Sequence, residues 1–272
     1  MVTVRVPATS ANLACGFDTL GIAYKMYNTL SFELSDTLSF SGCPEEFRNE
    51  DNLAWLAFKA VYEHIGKPVP MVHIDIRADV PVCRGLGSSA ALIAGGAVGA
   101  NELSGAKLSR DELLSVVTPI EGHPDNLAPA LLGGMTASMM DNGAVFSVAY
   151  PVNPALFFTV LFPDYTLSTH LSRLSVLPKA MELGDEELIA RALTDKLHQP
   201  YRRPLIHGYD EVERCANELG CRAVCVSGAG PSILCVSRDK DFAAKMREKV
   251  ASLPHNWTVL DLTVDPEGAK VI

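Results

Sequence analysis

Residues 81–91 read Pro-Val-Cys-Arg-Gly-Leu-Gly-Ser-Ser-Ala-Ala, and this stretch decides more about the fold than any other. Gly85 and Gly87 lack a Cβ atom, so the backbone there can approach a ligand closely. The segment that follows, residues 88–103, is small and apolar on every side, which predicts a helix that is buried all round. The unpaired N–H groups and positive dipole end of such a helix favour a phosphate. The stretch therefore predicts a phosphate-binding turn at the start of a buried helix.

The same stretch also fits the G-x-G-x-x-A form of a dinucleotide fingerprint between Gly85 and Ala90. A dinucleotide site needs a strand that runs directly into the first glycine and an acidic residue about 20 positions further on. Here residues 79–81 break the preceding strand pattern, and the position in question holds Lys107. An NAD(P)-dependent oxidoreductase is therefore kept only as an alternative from a different class.

Hydrophobic patterns on both sides of this turn predict a mixture of strands and helices. Alternation of apolar and polar residues predicts strands at residues 2–6, 30–34, 72–76, 157–162, 223–226, 233–235 and 257–262, with a hairpin at residues 135–151. Helical spacing and end signals predict helices at residues 52–65, 185–196, 204–219 and 242–253. Another helix should begin after the N-cap candidate Ser109 and end early at Pro119. The mixture indicates an α+β protein of two interlocked layers, with a boundary near residues 151–154.

Composition excludes several classes of partner. The chain has 272 residues and a net charge of −9, and an acidic surface argues against nucleic acid or an anionic membrane. The longest apolar runs, residues 90–100 and 127–140, are shorter than the roughly 18 residues that span a bilayer. The start has no charged-then-apolar leader, and the seven cysteines contain no C-x-x-C pair. We therefore expect a cytoplasmic protein with reduced, mostly structural thiols.

Three further polar stretches lie where ligands usually bind, at the ends of predicted strands and helices. Residues 7–18 follow the first strand and contain Asn12 and Asp18. Residues 121–126 read Glu-Gly-His-Pro-Asp-Asn before an apolar helix, and residues 227–232 form a second glycine turn. Together with the phosphate turn, these stretches predict one ligand site.

In this order, the motifs resemble those of the GHMP small-molecule kinases, and specifically the homoserine kinase family. The matching stretches follow the order of the family's motifs: residues 4–21, 81–91, 121–134, 169–178, 201–206 and 226–233. The resemblance implies an S5-like N-terminal domain at residues 1–153 and a ferredoxin-like C-terminal domain at residues 154–272. It implies phosphoryl transfer from ATP to the side-chain hydroxyl of L-homoserine, on the route to threonine, with ATP and Mg²⁺ as cofactors. A homodimer is compatible with it.

The resemblance also implies roles for individual residues. ATP would be bound by the phosphate turn and its neighbours: Asn52, Pro81, Arg84, Gly85, Leu86, Gly87, Ser88, Ser89 and Ala90. Mg²⁺ would be held by Glu121 with Ser88 or Ser89, an all-oxygen site. The substrate would be bound by residues from the other motifs: Asn12, Asp18, His123, Arg173, Arg202, Gly228 and Gly230. Asp125, Asn126 and Arg173 would act at the reaction centre, with Asp125 first a positioning residue and only then a candidate base.

The residue types suit a zwitterionic substrate. The ammonium of homoserine needs a carboxylate or amide oxygen, which Asp18 and Asn12 carry, and its carboxylate needs the donor forks of Arg173 and Arg202. His123 could orient either end of the molecule. A kinase for another small alcohol such as mevalonate remains an alternative, although mevalonate has no ammonium for Asp18. A binding module that kept the fold without turnover is a third alternative.

Overall fold

The computed structural model describes residues 1–13, 16–82, 84–141, 144–164, 177–193, 202–228 and 230–272. Its strands are β1 (Val2–Asn12), β2 (Gly16–Leu34), β3 (Ser39–Ser41), β4 (Val72–Ala78), β5 (Met135–Asp141), β6 (Ala144–Tyr150), β7 (Phe157–Phe162), β8 (Ala223–Val226), β9 (Ile233–Ser237), β10 (Thr258–Leu262) and β11 (Lys270–Val271). Its α-helices are α1 (Leu53–His64), α2 (Ser88–Ser104), α3 (Arg110–Glu121), α4 (Pro124–Leu132), α5 (Leu177–Leu183), α6 (Glu186–Ala192), α7 (Tyr209–Glu218) and α8 (Phe242–Val250). Short 3₁₀ turns occupy Glu45–Phe47 and Arg203–Leu205.

The first sheet is organised around the long strand β2. Its main strand order is β11-β1-β2-β4-β3, and β5 pairs with β2 while β6 pairs with β5. The later part of β2 pairs with β4, and its earlier part, around Leu20–Ile22, pairs with β5. All these pairings are antiparallel except that of β3 with β4. A dinucleotide fold requires parallel strands joined by helices, so the glycine turn after β4 does not belong to such a unit.

The second sheet has the order β10-β7-β9-β8, and all its pairings are antiparallel. Helices lie between β7 and β8, and α8 joins β9 to β10. Two βαβ-type halves interleaved in this order form the ferredoxin-like arrangement. The predicted α+β class, with its S5-like and ferredoxin-like parts, is confirmed. The domain boundary at residues 153 and 154 stays a prediction.

Three groups of buried apolar side chains hold the layers together. One lies between the first sheet and helices α1 to α4, and another lies between the second sheet and helices α7 and α8. The third joins the two sheets, where Tyr24 of β2 meets Phe158 of β7 with ring centroids 5.6 Å apart. Because this third group draws on both sheets, the two layers share a core.

Helix α2 runs through the first layer as the sequence predicts. Its residues from Ala90 to Ala100 are buried with the exception of Leu92, which is half-buried. Gly96 allows close contact with α1, because a Cβ at that position would lie 2.1 Å from the Ala54 carbonyl oxygen. The N-terminus of α2, which carries the unpaired N–H groups, opens onto the junction between the two layers.

Two expectations about helix bounds are wrong. Helix α3 does not end at Pro119 but continues to Glu121, because the proline removes one backbone bond near the helix end and Gly122 N–H still closes on Thr118 at 2.8 Å. The helix expected over residues 204–219 begins only at Tyr209, because Gly208 has a positive φ of 87° and separates it from the preceding 3₁₀ turn.

The predicted N-cap at Ser109 forms a complete capping box with Glu112. Helix α6 begins where expected and ends at Ala192, while residues 194–196 of that expectation lie outside the described residues. Within the part of the chain described here, no helix has both the length and the apolar character needed to cross a membrane.

Candidate active site

A cleft of about 720 Å³ lies where the two layers meet, and its chemistry changes along its length. One end is mainly apolar, the middle is the glycine turn, and the other end carries charged and polar groups. The described lining residues are Asn12, Asp18, Gly42, Cys43, Pro44, Phe47, Asp51, Asn52, Leu53, Ile76, Ala78, Val82, Arg84, Gly85, Leu86, Gly87, Ser88, Ser89, Leu92, Glu121, His123, Asp125, Asn126, Arg202 and Gly228.

The glycine turn is shaped by two left-handed residues. Gly85 has φ +65° and Gly87 has φ +66°, and Gly87 is the N-cap of α2. Gly87 has no side chain, so the N-cap residue itself does not occupy the first N–H groups of α2. A 17-residue helix with free N–H groups that open onto a cleft is a favourable place for an anion.

Gly87 is required by Thr9, which lies behind the turn. A Cβ on Gly87 would come 1.9 Å from Thr9 Oγ1 and 3.1 Å from Asn126 Oδ1. From the sequence we expected the missing Cβ at Gly87 to leave room for a ligand close to the backbone. The structure corrects that expectation, because the Cβ direction points into the protein.

The second glycine turn is fastened to the first by hydroxyl groups. Ser227 donates from its Oγ to the Gly85 carbonyl at 3.0 Å, and its Oγ lies 2.6 Å from Ser10 Oγ. Ser232 Oγ donates to the Arg84 carbonyl, and Gly228 N–H donates to the Ala11 carbonyl at 3.0 Å. These bonds join the second layer to the phosphate turn and to β1.

The polar end of the cleft contains Asp18, Asn12 and His123. Asp18 and Asn12 both have positive φ values, 53° and 70°, and Asp18 N–H donates to Asn12 Oδ1 at 3.0 Å. The Asn12 oxygen that we expected to face an ammonium therefore already accepts one backbone bond. His123 Nδ1 lies 3.8 Å from Asp18 Oδ2, an ion pair when the imidazole is protonated. The structure thus brings these three predicted substrate residues together.

Asp125 is a buried carboxyl beside this group. It is 4% exposed, and its pKa is raised to about 6, mainly by burial and then by the charge of Asp18. The positive charge of His123 and the bond from Asn126 N–H to Asp125 Oδ1, at 2.9 Å, act in the opposite direction. The carboxyl therefore changes charge closer to neutral pH than an ordinary aspartate does.

Glu121 lies at the end of α3, next to the start of α2. Burial raises its pKa, while a hydrogen bond from the Ser89 hydroxyl and the charge of His123 lower it. Glu121, Ser88 and Ser89 all line the cleft, so the predicted oxygen ligands for Mg²⁺ are brought together. A carboxylate and hydroxyls are the ligand types that Mg²⁺ takes, usually together with phosphate oxygens and waters.

Arg202 enters the cleft from the second layer. Its Nη1 donates to the Gly228 carbonyl at 3.1 Å, which holds the guanidinium beside the second glycine turn. Arg173, predicted to share its role, lies outside the described residues. The described part of the site therefore supplies one arginine fork for a carboxylate at the polar end.

Some predicted residues have other surroundings. The side chain of Asn52 caps α1: its Oδ1 accepts from Ala54 N–H at 3.0 Å, and its Nδ2 donates to the Phe47 carbonyl at 2.8 Å. Asn52 still lines the apolar end of the cleft. Pro81, Ala90 and Gly230, by contrast, are not among the lining residues, and a Cβ on Gly230 would meet apolar side chains instead.

The hydroxyl residues that fasten the site were not predicted from the sequence. Thr9, Ser10, Ser227 and Ser232 all lie within the quoted polar stretches, but Ser10 and Ser227 are 217 positions apart. Nothing in a single sequence indicates such a pairing. The apolar lining, including Phe47 and Ile76, also gave no signal, because these residues read simply as core.

Comparison with known proteins agrees with this arrangement. The family models described as GHMP kinases N terminal domain and GHMP kinases C terminal match residues 52–134 and 178–256. The homoserine kinases of Clostridium botulinum strain 657 and of Clostridium beijerinckii are each 43% identical to this chain; the alignments cover 100% of it and 98% and 99% of those proteins.

A solved structure gives the same result at the level of the fold. The crystal structure of homoserine kinase from Cytophaga hutchinsonii superposes with a TM-score of 0.86 at 28% sequence identity, over 100% of this chain and 97% of the other. Two family models, full-length relatives and a solved structure therefore agree on the family and on the fold. The chain therefore belongs to the GHMP kinases and, within them, to the homoserine kinase family.

Proposed function

We propose that this protein transfers the γ-phosphoryl group of ATP to the side-chain hydroxyl of L-homoserine, which gives O-phospho-L-homoserine in threonine biosynthesis. One observation carries the proposal: a single cleft joins an apolar end, an open helix N-terminus and an end with Asp18, His123 and Arg202. An adenine base suits the first, a triphosphate the second, and a zwitterionic amino acid the third. Full-length similarity to homoserine kinases favours this acceptor over other small alcohols.

The protein's contribution is mainly to position the two substrates. Residues 85–89 offer backbone N–H groups and two hydroxyls to phosphate oxygens, and the α2 dipole favours their negative charge. Asp18 would attract the substrate ammonium, and Arg202 its carboxylate. With both ends of the substrate held, the hydroxyl to be phosphorylated lies near Asn126 and Asp125. Phosphoryl transfer depends largely on such positioning and on neutralising charge.

We further propose that Glu121, with Ser89 or Ser88, holds Mg²⁺. The bound ion would neutralise phosphate charge, which is the chemistry that a magnesium ion supplies in kinases. Glu121→Gln should raise the Mg²⁺ concentration needed for half-maximal turnover severalfold. Glu112→Gln, on the same helix but in the capping box far from the cleft lining, is the matched control. An unchanged Mg²⁺ requirement in Glu121→Gln would assign the ion to another residue.

We also propose that the protein works in the cytoplasm, as a homodimer or a monomer. Free cysteines among the described residues suit a reducing compartment: Cys43, Cys215, Cys221, Cys225 and Cys235. Sedimentation at several protein concentrations decides between the two oligomeric states.

The activity is tested by following ADP formation with L-homoserine, mevalonate or no acceptor in the presence of Mg²⁺, with phosphorus NMR of the product. We expect ADP only with homoserine, and one new phosphate monoester on its hydroxyl. Turnover with mevalonate, oxidation of NAD(P)H, or binding of homoserine without turnover would each support one of the alternatives and overturn the proposal.

A further inference from the structure

Thr9 is the buried residue that joins the phosphate turn to the predicted reaction centre. It is fully buried, in β1, and its N–H donates to the Leu86 carbonyl at 3.1 Å. Its hydroxyl donates to Asn126 Oδ1 at 2.8 Å. The hydroxyl also lies directly against Gly87, where a Cβ would be 1.9 Å away. Thr9 therefore contacts the turn and the Asn126 amide at the same time.

The bond from Thr9 is made to the oxygen end of the Asn126 amide. An asparagine amide has an acceptor oxygen at one end and an NH₂ donor at the other. Because the Thr9 hydroxyl donates to Oδ1 in the structure, the oxygen end of the amide faces β1 and its NH₂ end faces away from β1. The neighbouring backbone is held as well, because Asn126 N–H donates to Asp125 Oδ1.

We propose that Thr9 is a positioning residue for phosphoryl transfer, which holds Asn126 with its NH₂ group available to the cleft. In that orientation Asn126 donates to an oxygen of the reacting groups, next to the glycine turn. The inference rests on the proposed function for its chemistry, but the orientation of the amide is a property of the protein alone. Without the hydroxyl, the amide can rotate and turn its oxygen towards negatively charged phosphate.

Steady-state kinetics test this role with Thr9→Val, which replaces the hydroxyl by a methyl of similar size, and with Thr9→Ser, which keeps it. Thr9→Val should lower kcat about tenfold with both KM values little changed, because a misplaced donor affects the reacting groups more than binding. Thr9→Ser should recover most of that loss. In an Asn126→Ala background, Thr9→Val should cause no further loss, since the two residues act as one unit.

Two further measurements exclude a purely structural role. Thr159→Val, which removes another buried threonine hydroxyl in the second sheet, should leave kcat unchanged. In ¹⁵N–¹H NMR spectra, the side-chain NH₂ signals of Asn126, assigned by their loss in Asn126→Ala, should shift in Thr9→Val and return in Thr9→Ser. If Thr9→Val does not fold, Thr9→Ala removes the same hydroxyl with more space around it.

The inference is overturned if the loss from Thr9→Val is the same with and without the Asn126 amide, or if the Asn126 signals do not respond to removal of the Thr9 hydroxyl. The NMR result does not depend on turnover. A parent protein without homoserine-dependent turnover would therefore contradict the proposed function, while the amide signals would still decide the role of Thr9.

Discussion

Glycine is required at position 87 for two reasons, its backbone conformation and the lack of space for a Cβ. Its φ of +66° is a left-handed value that costs other residues roughly 1–2 kcal/mol, and Thr9 occupies the position of its missing Cβ. Gly105, at the other end of α2, has nearly the same φ of +67° but nothing within 4 Å of a Cβ. Comparison of Gly87 with Gly105 therefore separates the free-energy cost of the left-handed conformation from the cost of the contact with Thr9.

We therefore predict different outcomes for alanine at the two glycines. Gly105→Ala should lower the free energy of unfolding by about 1–2 kcal/mol and leave turnover unchanged. Gly87→Ala should in addition push Thr9 and the turn apart, and lower ATP affinity by about tenfold or more. Calorimetric titration with ATP and urea unfolding measure both effects. Parent-like ATP affinity in Gly87→Ala would contradict the assignment of the turn.

The raised pKa of Asp125 makes the free energy of unfolding depend on pH. Its pKa is raised from 3.8 to about 6 in the folded protein, so the folded state holds the proton more tightly than the unfolded state. The contribution of Asp125 to the free energy of unfolding therefore decreases as the pH rises from about 4 to about 6, and the full cost is present above that range. A shift of this size corresponds to roughly 2–3 kcal/mol.

Replacement of Asp125 by asparagine should remove that cost. We predict that Asp125→Asn unfolds at higher urea concentration than the parent at pH 8, and that the difference disappears near pH 4. Urea unfolding curves at pH 4, 6 and 8 provide the measurement. A gain in stability that is equal at all three pH values would indicate that the ionisation of Asp125 is not its source.

At the scale of elements, α2 illustrates why small residues form a central helix. Gly96 and Gly99 bring its backbone against α1 and β2, where a Cβ would lie 2.1 Å from the Ala54 carbonyl oxygen and 2.5 Å from the Phe32 ring. The glycines are unfavourable for helix formation by about 1 kcal/mol each, and close packing offsets that cost. The helix is therefore stabilised by its neighbours and not by its own propensity.

The reverse substitution should destabilise the protein although it favours the helix. We predict that Gly96→Ala lowers the free energy of unfolding by about 2 kcal/mol, because backbone atoms of α1 cannot move aside easily. Glu102→Ala, at an exposed position of the same helix, should change it by less than about 0.5 kcal/mol. Stabilisation by Gly96→Ala would mean that α1 and α2 are not packed this closely.

Helices α2, α3 and α7 show how far local sequence patterns predict secondary structure. The buried α2 and the N-cap at Ser109 follow from local patterns, and both are found. The bounds of α3 and α7 were not predicted correctly. A proline near a helix end removes only one backbone hydrogen bond, so α3 continues past Pro119. A single glycine, Gly208, interrupts the helical pattern, so α7 begins only at Tyr209. The predicted polar groups do meet in one cleft, but their fastening by Thr9 and Ser227 depends on distant contacts that local patterns do not contain.

For the whole molecule, the shared core makes the two layers depend on one another. Leu20, Ile22 and Tyr24 of β2 belong to the same buried group as Phe158 and Leu234 of the second sheet. The chain also returns at its end, where β11 pairs with β1 in the first sheet. Separation of the layers would expose this group to water, so unfolding should be cooperative.

The two tryptophans allow a test of that cooperativity. Trp55 lies in the buried group between the first sheet and helices α1 to α4. Trp257 lies in the buried group between the second sheet and helices α7 and α8. In Trp257→Phe and Trp55→Phe variants, fluorescence reports one layer at a time. We predict that each fluorescence transition in urea coincides with the circular dichroism transition of the same variant. Two separate midpoints would show that the layers unfold independently.

The central claim is that one cleft binds ATP beside L-homoserine and that Arg202 reads the substrate carboxylate. Its most direct test is the ratio of kcat/KM for L-homoserine to kcat/KM for homoserinol, which lacks the carboxylate. The ratio is measured in the parent, in Arg202→Leu and in a control, Arg222→Leu. The control removes an exposed arginine that lies outside the cleft. We predict a ratio of roughly 10 to 100 in the parent and the control, because a charge-assisted bond contributes about 1.5–3 kcal/mol, and a ratio near one in Arg202→Leu. Absence of homoserine-dependent turnover in the parent, or an unchanged ratio in Arg202→Leu, would contradict it.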